Sequence, residues 1–214
     1  MKVYKYLLSA VLGLLLCASV SAQTSYDFGV KGGFSVNMMP GTTALPYDEF
    51  EPNIGFQGGL FSTFYLSDNI ISQVELIYAR KGVRTVNHTP EAIGGSKDIY
   101  ARHIHYLQLP LLIGWDSLGG TSLRVVTGPE LGYCLGNHIR TNYGDKKETH
   151  FEDEDFMLNR FNLAWAAQAT YFINAALGID VKFDYGITRT FKESTGDKGR
   201  NAGLQVGICY RFGY

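Results

Sequence analysis

The sequence predicts an all-β chain: an eight-stranded antiparallel up-and-down transmembrane β-barrel, preceded by a cleaved signal peptide. Three observations carry that prediction. Eight runs alternate apolar with polar or small residues at a period of two, the mark of strands with different surroundings on their two faces. The connections between the runs alternate long and short. After the amino-terminal segment, no stretch approaches the apolar length of a spanning helix, and a closed barrel is the other structure that satisfies every backbone group in lipid.

Composition agrees. The chain has 25 Gly, 14 Tyr and 13 Phe against 6 Pro, which favours strands and tight turns. Its formal net charge of -1 gives no reason to expect a nucleic-acid partner. The first 22 residues, MKVYKYLLSAVLGLLLCASVSA, set Lys2 and Lys5 ahead of an apolar run from Tyr6 to Leu16. Val20 and Ala22 then occupy the positions a signal peptidase reads, so residues 1–22 are a secretory signal and 23–214 the barrel domain. The apolar core is shorter than the roughly 20 residues a membrane helix needs. Leu16 before Cys17 is not the small residue of a lipid-attachment site.

The first strand, DFGVKGGFSVNMM, sets Phe28, Val30, Phe34, Val36 and Met38 against Asp27, Lys31, Ser35 and Asn37. In NIGFQGGLFSTFYL, Ile54, Phe56 and Leu60 alternate with Gly55, Gln57 and Gly59, and the alternation blurs from Phe61 to Tyr65. IISQVELIYARKG sets Val74, Leu76 and Tyr78 against Gln73 and Glu75. The fourth run, HIHYLQLPLLIGW, sets Leu107, Leu109, Leu111, Ile113 and Trp115 against Tyr106, Gln108 and Pro110; the proline removes a ladder donor. SLRVVTGPELGYC sets Leu123, Val125, Leu131 and Tyr133 against Arg124, Gly128, Glu130 and Gly132. RFNLAWAAQATYFI follows with Phe161, Leu163, Trp165 and Tyr171 against Arg160, Asn162, Gln168 and Thr170. ALGIDVKFDYGITRTF is the clearest, from Leu177 to Ile187 against Gly178, Asp180, Lys182, Asp184 and Gly186. The eighth, GLQVGICYRFGY, alternates Leu204, Val206, Ile208, Tyr210, Phe212 and Tyr214 with Gln205, Gly207, Cys209 and Arg211 to the last residue. Most runs are roughly 10 to 14 residues, close to the reach of a tilted strand crossing a bilayer.

Short connections, LSDN, DSLGGT and the residues around Asn174, join strands two to three, four to five and six to seven. The other four are long: MPGTTALPYDEFEP, GVRTVNHTPEAIGGSKDIYAR, LGNHIRTNYGDKKETHFEDED and KESTGDKGRNA. That arrangement places tight turns on the periplasmic rim, long loops outside, and both termini in the periplasm. A soluble periplasmic calyx with a hydrophobic ligand would also use eight strands, with its apolar face inward. The polar faces, however, carry Lys31, Glu75, Arg124, Glu130, Asp180, Lys182, Asp184 and Arg211 among glycines, which suits a narrow lumen of paired charges. The apolar faces are continuous and carry aromatics near their ends, as lipid-facing bands do.

The segments YLQLPLLIGW (106–115), GPELGYCLG (128–136), DVKFDYGITRTF (180–191) and GLQVGICYRF (203–212) resemble those of the PorT-like outer-membrane β-barrel proteins, in the same order. The resemblance implies eight strands and an outer-membrane location. It does not imply a secretion role. The aromatic last residue also resembles the carboxyl-terminal signal read during barrel assembly.

Eight strands leave an interior that side chains fill, so the expected protein is no wide pore and acts as a structural or interaction protein through its outer loops. Its expected partners are outer-membrane lipid and lipopolysaccharide, the barrel-assembly machinery during biogenesis, and an extracellular or periplasmic protein whose identity the sequence does not give. The third loop carries Lys146 and Lys147, then Glu148, His150, Glu152, Asp153, Glu154 and Asp155. Without the spaced ligands and glycine of a calcium loop it reads as a solvated charged loop, and no metal or cofactor is expected. His103 and His105 share the lipid-facing phase near the outer end of strand four, where a lipid-modifying hydrolase would place a base. No G-x-S-x-G elbow accompanies them, and the expectation is no enzyme and no catalytic residue. Cys134 and Cys209 fall on the inward phase near opposite ends of the barrel, too far apart for a disulfide.

Overall fold

The computed structural model describes residues 25–41, 48–88, 97–117, 121–141, 144–148, 158–192 and 198–212. Among these residues nine strands form one antiparallel sheet: β1 (Tyr26–Met38), β2 (Asp48–Tyr65), β3 (Ile70–His88), β4 (Lys97–Trp115), β5 (Leu123–Thr141), β6 (Gly144–Glu148), β7 (Phe161–Phe172), β8 (Leu177–Gly186) and β9 (Ala202–Phe212). Eight of them run in the order β4-β3-β2-β1-β9-β8-β7-β5, and a further β4–β5 pairing closes the ring. The fold is a closed antiparallel barrel with each strand beside its chain neighbours. β6 lies outside the ring and, among the described residues, pairs with the far end of β5, from Asn137↔Glu148 to Thr141↔Gly144.

Closure has the stagger that tilted strands demand. Following paired residues from Tyr26 through Phe64, Ser72, Ile113, Thr127, Ala167, Phe183 and Leu204 returns to β1 at Val36, not at Tyr26. The seam between first and last strands runs from Phe28↔Phe212 to Met38↔Ala202. Here the backbones come very close. A Cβ on Gly33 would strike the Val206 carbonyl oxygen and stand 2.5 Å from the Gly207 Cα, so only glycine fits.

The period of two fixes which residues face lipid. Along β8 and β7 every second residue is buried, and the intervening positions project outward. Phe34 is 72% exposed, Phe161 69% and Ile54 66%, whereas Asp184, Lys182 and Thr63 are fully buried. This is the polarity of a soluble protein turned inside out. Outward aromatics gather at both ends of the apolar band: Tyr26, Phe28 and Trp115 beside the short turns, and Tyr78, Tyr133 and Phe161 towards the long loops.

Three features depart from the sequence pattern. β2 has 18 residues and β3, β4 and β5 have 19 each, well beyond the expected runs. Nineteen extended residues reach roughly 60 Å, so one wall of the barrel projects past the membrane. Segments such as Asn87–His88 and Lys97–Asp98 lack apolar alternation, yet they continue the ladder because each finds its neighbour's backbone. Secondly, β8 stops at Gly186, short of the end of the run ALGIDVKFDYGITRTF. Phe191 instead bridges to Leu158, and both turn inward. Thirdly, part of the third long loop is strand β6. Pro110, awkward in a strand, faces the lumen; pairing to β3 runs to Val74↔Leu111 and resumes in register at Ile77↔Gln108.

Candidate functional site

The lumen is built from inward side chains in successive layers. At the short-turn end, Arg124 grips Asp116 with two hydrogen bonds, Nη2 at 2.7 Å and Nε at 3.2 Å. The Tyr65 hydroxyl donates to Asp27 at 2.7 Å, and Arg211 reaches the same carboxylate at 3.0 Å. Both guanidinium groups stack on Phe172, at 4.3 Å for Arg211 and 5.0 Å for Arg124. In the next layer Lys31 lies between Glu75 at 3.1 Å and Asp180 at 2.8 Å and donates to Gln168 at 2.8 Å. Beyond it, Lys182 pairs with Glu130 at 2.7 Å, Lys81 pairs with Asp184, and Gln205 donates to Asp184 at 2.6 Å. Unpaired charges at this depth would be very costly; here opposite charges are in contact.

Above the ion pairs the lumen turns apolar. Met39, Val83, Ile104, Tyr106, Cys134, Leu158 and Phe191 form one buried cluster, with Asn201 donating to the Tyr106 hydroxyl at 3.0 Å. A second, around Phe61, Phe172 and Cys209, lies towards the other end. An interior cavity beside Lys31, Gln73, Arg124 and Cys209 measures about 10 Å³, barely room for one water. Cys134 and Cys209, in separate clusters, are both free thiols.

A different arrangement occupies the outer wall. Gly58, Tyr78, Leu107, Tyr133 and Phe161 are paired in succession across β2, β3, β4, β5 and β7. One step towards the long loops, the pairing is Arg80↔His105↔Gly136, and one step further it is Gly82↔His103↔His138. The register shifts between His105 and Tyr106, a bulge that spreads β4 from β5 and lets Leu135 stand apart. The result is a groove of about 490 Å³ lined by Tyr78, Arg80, His103, His105, Leu135, Gly136, Asn137 and His138. A Cβ added to Gly136 would meet nothing within 4 Å, so this glycine leaves the floor open.

Within the groove, the Tyr78 hydroxyl lies 2.6 Å from His105 Nδ1. Asn53 Nδ2 is 3.1 Å from His103 Nδ1, and the His103 and His138 rings stack at 6.5 Å. Arg80 lies over the Phe56 ring at 4.9 Å and donates through Nη2 to the Ile54 carbonyl at 3.3 Å.

His103 and His105 are thus together, as their spacing suggests, but neither serine nor carboxylate stands among the groove's described lining residues. The acidic run from His150 to Asp155 lies outside the described residues, and of Glu148 only the β6 backbone is described. Among the described residues no cluster of three or more His, Cys, Asp or Glu is placed to hold a metal. Sequence reading missed Arg80 and His138. Arg80 could have been found as the first polar residue to interrupt the outward series Leu76, Tyr78. His138 was hidden by the bulge, which changes the phase just before it.

No curated protein matches the chain in sequence. Among solved structures it is similar to Ail, the attachment invasion locus protein of Yersinia pestis, at 13% identity and TM-score 0.48, covering 87% of this chain and 98% of that one. It is similar to Neisserial surface protein A at 11% identity and TM-score 0.47, covering 88% and 99%. For the outer membrane protein OprG from Pseudomonas aeruginosa the values are 14%, 0.42, 89% and 98%. Residues 21–192 match the family model described as outer membrane protein beta-barrel domain, across the greater part of the chain. With its closed ring, its apolar outer face and its charged interior, the chain therefore belongs to the outer membrane protein β-barrel domain family.

Proposed function

We propose that this protein is a PorT-like integral outer-membrane barrel that acts as a structural or interaction protein through its long-loop end, and that it is not an enzyme. Residues 1–22 are then a signal removed on export, and both termini lie in the periplasm with the short turns. Outer-membrane lipid, lipopolysaccharide and the assembly machinery are its general partners, and the projecting ends of β2 to β5 offer a surface to an extracellular protein.

The observation that supports this reading is the filled lumen. Ion pairs such as Lys182–Glu130 and Lys31–Asp180, capped by the apolar cluster around Tyr106, leave the interior to side chains. Function then falls to surfaces, and loops on a rigid scaffold are where surfaces vary freely. Single-cysteine labelling of whole cells with a membrane-impermeant maleimide tests the orientation. Asn87→Cys, at the far end of β3, should label from outside, and Asp68→Cys, in a short turn, only after the outer membrane is permeabilised. The reverse pattern would refute it. Mass spectrometry of lipid A from cells with and without the protein should give one acyl and phosphate pattern; a difference would overturn the non-enzyme reading.

A further inference from the structure

The groove on the outer wall is where the apolar band ends and a polar, cation-bearing row begins. Its apolar and aromatic neighbours Tyr78, Leu107, Tyr133 and Phe161 form a continuous outward strip, and Arg80, His105, His103 and His138 lie immediately beyond it on the same wall. No carboxylate is among the groove's described lining residues. On the outer end of β2, Glu51 is held by Arg84 at 3.3 Å. We propose that the groove seats the phosphate-bearing headgroup of an outer-leaflet lipid, with the acyl chains lying along the strip below. The proposal rests on the orientation argued above, which puts this end of the barrel in the outer leaflet.

The chemistry of each residue fits an anion. A Tyr78 O–H donating to His105 Nδ1 leaves the ring proton of a neutral imidazole on Nε2, as a donor. Arg80 presents a planar guanidinium, and its buried Nε has no hydrogen-bond partner among the described residues. A guanidinium offering several N–H groups suits the oxygens of a phosphate better than a point charge does. The stacked His103 and His138 rings bring two further imidazoles, whose ring N–H groups are donors, to the same place. The bulge and Gly136 supply the space, since a regular ladder with a side chain at that position would leave no depression. A free anion would not need the apolar strip; a lipid uses both.

The test uses the full barrel in nanodiscs containing lipid A, dephosphorylated lipid A, or neither with added inorganic phosphate. Native mass spectrometry counts the lipid retained on release, and ¹⁵N-histidine spectra report on the three imidazoles. The expected result is retention of lipid A with shifted His103, His105 and His138 resonances, and little retention of the dephosphorylated form. The double substitution Arg80→Gln, His105→Gln should lower retention by about tenfold or more, as the loss of charge-assisted hydrogen bonds implies. Lys198→Gln, an exposed charge in the connection before β9, should leave it unchanged, and heat-modifiable gel mobility confirms that each variant is folded. Equal retention of both lipid forms, no effect of the double substitution, or equal binding of inorganic phosphate would overturn the proposal. If lipid A is retained but the labelling pattern is reversed, the groove's chemistry stands and the assigned orientation fails.

Discussion

Replacing Lys182 with Met tests whether the lumen is held by charge pairing or merely filled. The Lys182 side chain is wholly buried, and its Nζ lies 2.7 Å from Glu130 Oε2. At an effective dielectric constant of about 20, two unit charges at that distance attract by about 6 kcal/mol before the cost of desolvating them. The substitution leaves Glu130 with Lys81 at 3.5 Å and a hydrogen bond from Gln108, while keeping the lysine's apolar bulk. Lys81 would then be shared between Glu130 and Asp184, and the excess negative charge in a closed lumen should cost about 3–5 kcal/mol. Adding Glu130→Gln removes the stranded charge, so the double variant should be more stable than Lys182→Met alone. Urea titration of the full barrel in vesicles, followed by tryptophan emission and gel mobility, measures both. If Lys182→Met lies within about 1 kcal/mol of the parent, or the two substitutions simply add, the ion pairs are not what holds the interior.

Other consequences follow from single residues. Gly33→Val should prevent closure, because its Cβ meets backbone at the β1–β9 seam; the folded, fast-migrating gel species should vanish, and its persistence would contradict the seam. Burial pushes the Asp116 carboxyl up, but the hydrogen bond and charge of Arg124 outweigh it and hold the group below the ordinary carboxylate range. Its contribution is then present above about pH 4 and lost as pH falls through the lower folded value, so Asp116→Asn should flatten the acid side of a stability profile. An unaltered slope would show that the Arg124 pair does not matter there. Cys134 and Cys209 should both resist maleimide in the folded barrel and react in urea, with an intact mass for two free thiols; a mass two hydrogens lighter would mean a bridge the topology forbids.

The barrel was legible in the sequence to the extent that lipid enforces a period of two. Along β7, β8 and β9 the predicted outward residues, from Phe161 to Phe212, are those the fold exposes. Strand ends were less legible, since β3 and β4 continue past the bilayer, where no lipid selects the outward residues and Asn87 pairs with Asp98 without any apolar signal. The interior charges could be read but their partners could not. Lys31 meets Glu75 and Asp180 only because the ring's stagger brings β1, β3 and β8 to one level, a property of closure and not of any one strand. The groove was half legible: His103 and His105 stand out by spacing, while His138 and Gly136 join them through a bulge that the alternation conceals.

The pairing of β1 with β9 also sets the timetable of folding. Val30 cannot meet Tyr210 until nearly the whole chain has been made, so the strand synthesised first waits longest for its second neighbour. Partial chains expose an open hydrogen-bonding edge together with outward apolar residues such as Phe34 and Leu60, a combination that invites aggregation in water. The nascent protein must therefore travel to the membrane with its strands kept apart, and it can seal only when its last strand arrives.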